Sequence, residues 1–245
     1  MSTLPAARRA PGPQLSPELI IETVRALRTR IHERFPGSGL ERLSGDLQAI
    51  AEATGEQLRT AARPHLPLRI GGWFAIALLA GAFISLALKL DPRADGFTVA
   101  EFLQTTESAI NDLILLGAAA YFLASAEARV KRRRALRFLR DLRAVAHIVD
   151  MHQLTKDPDT LVQVGTDTPS SPRRTLNRYE LSRYLDYCSE MLALNSKLAA
   201  LYAQNFDDPV VLASVDEVET LTTGLSGKVW QKIMILNSGG AGVRD

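Results

Sequence analysis

IGGWFAIALLAGAFISLAL, Ile70 to Leu88, is an uninterrupted run of 19 apolar or small residues without a charge. At roughly 1.5 Å of rise per residue, a helix of that length covers the roughly 30 Å of hydrocarbon in a bilayer. A second run, Leu113 to Ala126, supplies 14 uncharged residues and recruits Ser108 to Asp112 to complete a crossing. Thr98 and Glu101 have the T-x-x-E spacing of a capping box, so the second helix is expected from near Val99 to beyond Ala126, with Asp112 close to a boundary. The expected fold class is therefore an all-α membrane protein, a two-span transmembrane hairpin with helical cytoplasmic N- and C-terminal regions.

Charge placement sets the expected orientation. Arg59, Arg63 and Arg69 precede the first run, and Arg129, Lys131, Arg132, Arg133, Arg134, Arg137, Arg140 and Arg143 follow the second. The connection between them carries Asp91, Asp95, Glu101 and Glu107 against Lys89 and Arg93 only. The positive-inside rule then predicts an integral membrane protein with both termini cytoplasmic, which for a bacterial chain means the inner membrane. The first apolar run lies too far from Met1 for a cleaved secretory signal. Lone Cys188 suits a reducing compartment and reads as a small core residue.

The basic run RVKRRRALRFLRDLR reads first as a positioning device, with Arg129, Lys131, Arg132, Arg133 and Arg134 against anionic headgroups. Nucleic acid is an unlikely partner by sequence, because no helix-turn-helix, zinc finger or RNA-binding signature accompanies the run and the whole chain carries a net charge of only +2. Ala77, Gly81, Ser85 and Gly117 put small residues where helices approach closely, within one hairpin or between subunits.

Periodicity divides the rest. Residues 1–15 read as a disordered tail and 16–69 as a helical hairpin, starting at Ser16 with Pro17 in the first turn and breaking near Phe35. Residues 70–126 form the expected two-helix membrane unit with a short external loop, and 127–237 a three-helix cytoplasmic domain. Its helices run to about Leu154, from Ser171-Pro172 to about Asn205, and from Asp208-Pro209 onward. The middle helix has the seam Leu181, Leu185, Cys188, Leu192, Asn195, Leu198 and Tyr202. The last has Val211, Val215, Val218, Leu221, Leu225, Val229, Ile233 and Leu236, with Gly224 and Gly227 marking a bend or close contact. Residues 155–172 read as a loop with a short extended piece at Leu161 to Val164, and 238–245 as a flexible tail.

HIVDMHQLTKDPD, from His147, is the stretch most open to chemistry. His147 and Asp150 share a helix face, but His152 is turned away, so the spacing is not that of a compact zinc site. No phosphate loop, Rossmann fingerprint, nucleophile elbow or CxxC pair is present, so no catalytic residue, cofactor or metal is expected. His147, Asp150, His152, Tyr179, Asn195 and Trp230 are the expected partner or regulatory contacts, with Tyr179, Asn195 and Trp230 exposed. The expected function is a membrane-tethered scaffold or adaptor that recruits a protein partner or a homo-oligomer, with coiled-coil-like helical faces. The alternative is a subunit of an oligomeric pore or membrane-perturbing effector, and a third class is an enzyme using His147 and Asp150.

Overall fold

Ser16 opens the first helix in the computed structural model, its hydroxyl accepting from the Leu19 amide at 3.4 Å while Pro17 takes the first turn, where no donor is lost. The structure describes residues 13–61, 74, 76–77, 80–81, 84, 99–156, 158, 168–171 and 175–238. Helices α1 (Pro17–Arg34), α2 (Gly39–Ala61), α3 (Val99–Ala124), α4 (Ala126–Leu154), α5 (Arg178–Asn205) and α6 (Pro209–Ser238) account for nearly all of them, and there is no strand among the described residues. The chain divides into two compact units, residues 1–60 with 134–245 and residues 61–133.

The all-helical reading stands, but its membrane half is corrected. No helix among the described residues is long and apolar enough to cross a membrane. Although α3 has 26 residues, Glu101, Gln104, Glu107, Ser108, Asn111 and Asp112 occupy its first half. The uncharged remainder of the helix, Leu113 to Ala124, rises only about 18 Å, short of the roughly 30 Å required. Most of Ile70 to Leu88, including Ser85, lies outside the described residues, as do Thr98, the Leu161 to Val164 piece and the chain ends 1–12 and 239–245. The two-span hairpin is therefore not supported, and integral membrane localisation with its assigned sidedness falls with it.

In the first unit a single apolar cluster joins α1, α2, α5, α6 and the part of α4 from Arg134 onward. Each helix contributes a stripe at 3.6-residue period: Val24, Leu27 and Ile31; Leu40, Leu43 and Leu47; Leu139, Leu142 and Val149; Leu185, Leu192 and Leu198; Val211, Val218 and Val229. Helix α5 is central, packing on both α1 and α6. Its expected seam is buried throughout, Asn195 and Tyr202 included. Leu19 is exposed, although the spacing that buries Ile20, Val24, Leu27 and Ile31 runs beside it. Leu15, counted in the disordered tail by composition, is held by a two-way bond with the Gln204 amide at 2.8 and 3.2 Å.

Helix α5 begins at Arg178, seven residues after the expected Ser171 cap. Asn177 Oδ1 accepts from the Glu180 amide at 2.9 Å, and Glu180 Oε2 accepts from the Asn177 amide at 2.9 Å. This reciprocal box satisfies two donors, which outweighs a serine followed by proline. Asp208 caps α6 as expected, accepting from Val210 and Val211 at 3.0 and 3.2 Å. Gly224 and Gly227 face open space, so neither marks a close helix contact.

The α1–α2 turn depends on two glycines. Gly37 has φ +73°, which L side chains rarely adopt. A Cβ on Gly39 would stand 2.3 Å from His152 Cε1, because the imidazole at the end of α4 lies on the first residue of α2. Burial, then the charges of Arg42 and Lys156, lowers the His152 pKa below its ordinary 6.5. The native state therefore binds fewer protons than the unfolded chain just below pH 6.5, and stability falls as pH drops through that window. Gly39→Ala is expected to destabilise by about 1 kcal/mol, and to become neutral or slightly stabilising in a His152→Ala background, where helix propensity is recovered. Denaturant unfolding of the cycle at several pH values checks both points. Equal costs of Gly39→Ala in the two backgrounds, or an unchanged pH slope in His152→Ala, would remove this account.

Candidate partner-docking site

Phe35, the residue that ends α1, places the C-terminal end of that helix on the first turns of α5. Its ring meets Tyr184 edge-on at 5.5 Å and Tyr187 at 6.2 Å, a favoured aromatic geometry. Beside this buried wedge is a cleft of about 520 Å³ lined by Arg30, Glu33, Arg34, Asn177, Tyr179, Glu180 and Tyr187. Tyr179 is 60% exposed. The Arg34 guanidinium lies 5.3 Å from its ring centre and donates to its hydroxyl at 3.4 Å, while Arg183 approaches the same ring at 6.0 Å. Arg30 lies 5.9 Å from the Tyr187 ring.

The charges in this cleft are not matched alike. Arg30 donates to both oxygens of Glu190 at 3.1 and 2.6 Å, and Arg183 pairs with Asp186 at 2.7 Å. Glu180 is engaged in the α5 cap. Arg34 has two phenols for neighbours and no carboxylate within ion-pair distance among the described residues. Hydrogen bonding to Tyr187 and the Tyr179 phenol raise its pKa further, so it remains a full cation. On the other flank of α1, a cleft of about 460 Å³ holds Arg25, Arg28, Thr29, His32, Glu41 and Gln48. There the basic side chains have partners: Arg25 has Glu52 at 2.7 Å, Arg28 has Gln48 at 2.9 Å, and His32 has Glu41 at 2.6 Å. The His32 bond and then the Gly37 amide lower the Glu41 pKa.

The residues expected from sequence are scattered. Tyr179 enters the first cleft. Trp230 is 62% exposed on α6. Asn195 is fully buried, which corrects its assignment as an exposed contact; its amide donates to the Leu142 carbonyl at 2.9 Å, and its Oδ1 has no partner among the described residues. His147 is exposed and makes no hydrogen bond to Asp150, which accepts from Gln153 at 2.9 Å. His152 is spent on Gly39. Among the described residues no three of His, Cys, Asp and Glu gather as a metal site. Cys188 is buried and its pKa is pushed up to about 12, which leaves it a thiol.

Of the expected membrane-positioning residues, Arg129 folds back on its own unit, 4.1 Å from the Phe122 ring centre and bonded to Ser125 Oγ. Lys131 and Arg132 are half-buried, and Arg133 and Arg134 are exposed. Ala77, Gly81 and Gly117 are exposed, and a Cβ at either glycine would meet nothing within 4 Å. No described residue packs closely on either glycine. Arg30 and Arg34 were missed by motif reading, although RALRTRIHERF already shows arginines flanking the apolar stripe of α1. No protein-family model, curated protein or solved structure matches the chain.

Proposed function

We propose that the protein is a helical scaffold or adaptor whose α1–α5 cleft docks an acidic segment of a protein partner. The observation that carries this reading is Arg34, a cation stacked on exposed Tyr179 and without a carboxylate partner. Arginine and tyrosine are enriched at the energetic centres of protein interfaces, where a rigid ring supplies area and a guanidinium supplies a paired charge. Stacking holds Arg34 in place before binding, which reduces the ordering cost on association. A partner carboxylate would complete the pairing that Glu190 provides for Arg30. Recruitment needs no chemistry in this chain, since holding two proteins together raises their effective concentration.

The test uses the full chain and fluorescent peptides of equal length, one Glu-rich, one Lys-rich and one neutral. The Glu-rich peptide is expected to bind best, with affinity that falls as salt rises. Arg34→Glu should weaken it by about tenfold, while Arg137→Glu, exposed on α4, should change it less than about twofold. A photo-crosslinker at Tyr179 should label the bound peptide. Equal loss in the two variants, or no preference among the peptides, would reject the cleft as the docking site.

A further inference from the structure

Helix α3 carries a run of exposed apolar side chains. Leu103, Ile110, Leu113, Ile114, Tyr121 and Phe122 are each more than half exposed. Leu103, Ile110 and Gly117 are seven apart, as are Ile114 and Tyr121, which is the spacing of a helix–helix seam. Together the six side chains present on the order of 700 Å², above the patch size usual for a monomer and near the roughly 800 Å² each partner contributes to a stable interface. Gly117 lies in this stripe with open space at its Cβ position, so the backbone of another helix has room to approach.

We propose that this stripe is a self-association seam on which α3 of a second copy lies antiparallel, with Ile114 near the two-fold axis. The orientation follows from charge. With Ile114 at the axis, Glu107 of one copy faces Tyr121 of the other, seven residues on either side. The Arg129 guanidinium sits at that level, folded 4.1 Å from the Phe122 ring centre. In an antiparallel pair the same flanks of the two helices meet, and Glu107 and Phe122 lie on one flank. Each end of the interface therefore joins one Glu107 to one Arg129, whereas in a parallel pair the two lie 22 residues apart along the helices and cannot meet.

The experiment is sedimentation of the full chain over a concentration series, with disulfide trapping of introduced cysteines; buried Cys188 does not compete. The expected results are a dimer, an Ile114→Cys variant that crosslinks to itself, and a Glu107→Cys variant that crosslinks to Tyr121→Cys but not to itself. Glu107→Arg should weaken the dimer about tenfold, with recovery on adding Arg129→Glu. A chain that remains monomeric at every concentration overturns the proposal, and so does self-crosslinking of Glu107→Cys. A third overturning result is a monomer that binds phosphatidylcholine vesicles and loses that binding in Ile114→Asp, since the stripe would then face lipid.

Discussion

Leu192→Asp is expected to unfold the first unit. Leu192 is fully buried on α5 in the cluster shared by five helices. The substitution removes about 2–3 kcal/mol of apolar transfer and forces either an ionised carboxylate or a raised pKa inside an apolar cluster, for a total above about 5 kcal/mol. That is comparable with the whole stability of an ordinary domain, about 5–15 kcal/mol. The helical signal of residues 134–238 should collapse and proteolysis should become fast. Arg134→Asp, at an exposed position, should stay within about 0.5 kcal/mol of the parent. Protease resistance of the Leu192→Asp arm would mean that the core is not where these helices put it.

Asn195 supplies the second large effect, one whose sign depends on the replacement. Asn195→Asp removes the donor to the Leu142 carbonyl and brings lone pairs against it, for a loss of about 3–5 kcal/mol near neutral pH. The protonated acid can still donate to that carbonyl. Burial raises the native pKa of the new carboxyl, so its penalty should be smallest at low pH and grow as pH rises from the unfolded value of about 3.9. Asn195→Leu instead deletes the unpartnered Oδ1 and fills a similar shape, and should remain within about 1 kcal/mol of the parent. Urea titrations from pH 4 to 8 separate the two. A flat pH response for Asn195→Asp would show that water reaches the site.

Much of the first unit could be read before the structure because burial writes a period into each helix. Leu185, Leu192 and Leu198 on α5, or Val211, Val218 and Val229 on α6, are legible from spacing alone. Asn195 occupies a seam position, and its polar side chain suggested exposure; period was the better guide, because one bond to a helix carbonyl suffices to keep it inside. The membership of α1 and α2 in the same core was not legible, since a stripe states that a helix has a buried side but not against what. For the second run the membrane reading failed on length, because the polar residues recruited to complete a crossing, Ser108 to Asp112, leave too short an uncharged stretch in α3. The cleft was half legible: Tyr179 was found as an aromatic, whereas Arg34 acquires meaning only beside it.

The first unit is assembled from two stretches of chain with the second unit encoded between them. Thr54 meets the Tyr202 hydroxyl across 148 residues, Arg30 meets Glu190 across 160, and Leu15 meets Gln204 across 189. At a translation rate of roughly 5–20 residues per second, α1 and α2 leave the ribosome about 10–30 s before α5 exists to receive them. During that interval Leu27, Ile31, Leu43 and Leu47 have no core to enter. The newborn chain thus carries unburied apolar stripes over a defined interval of its synthesis, and pausing between residues 60 and 178 lengthens it.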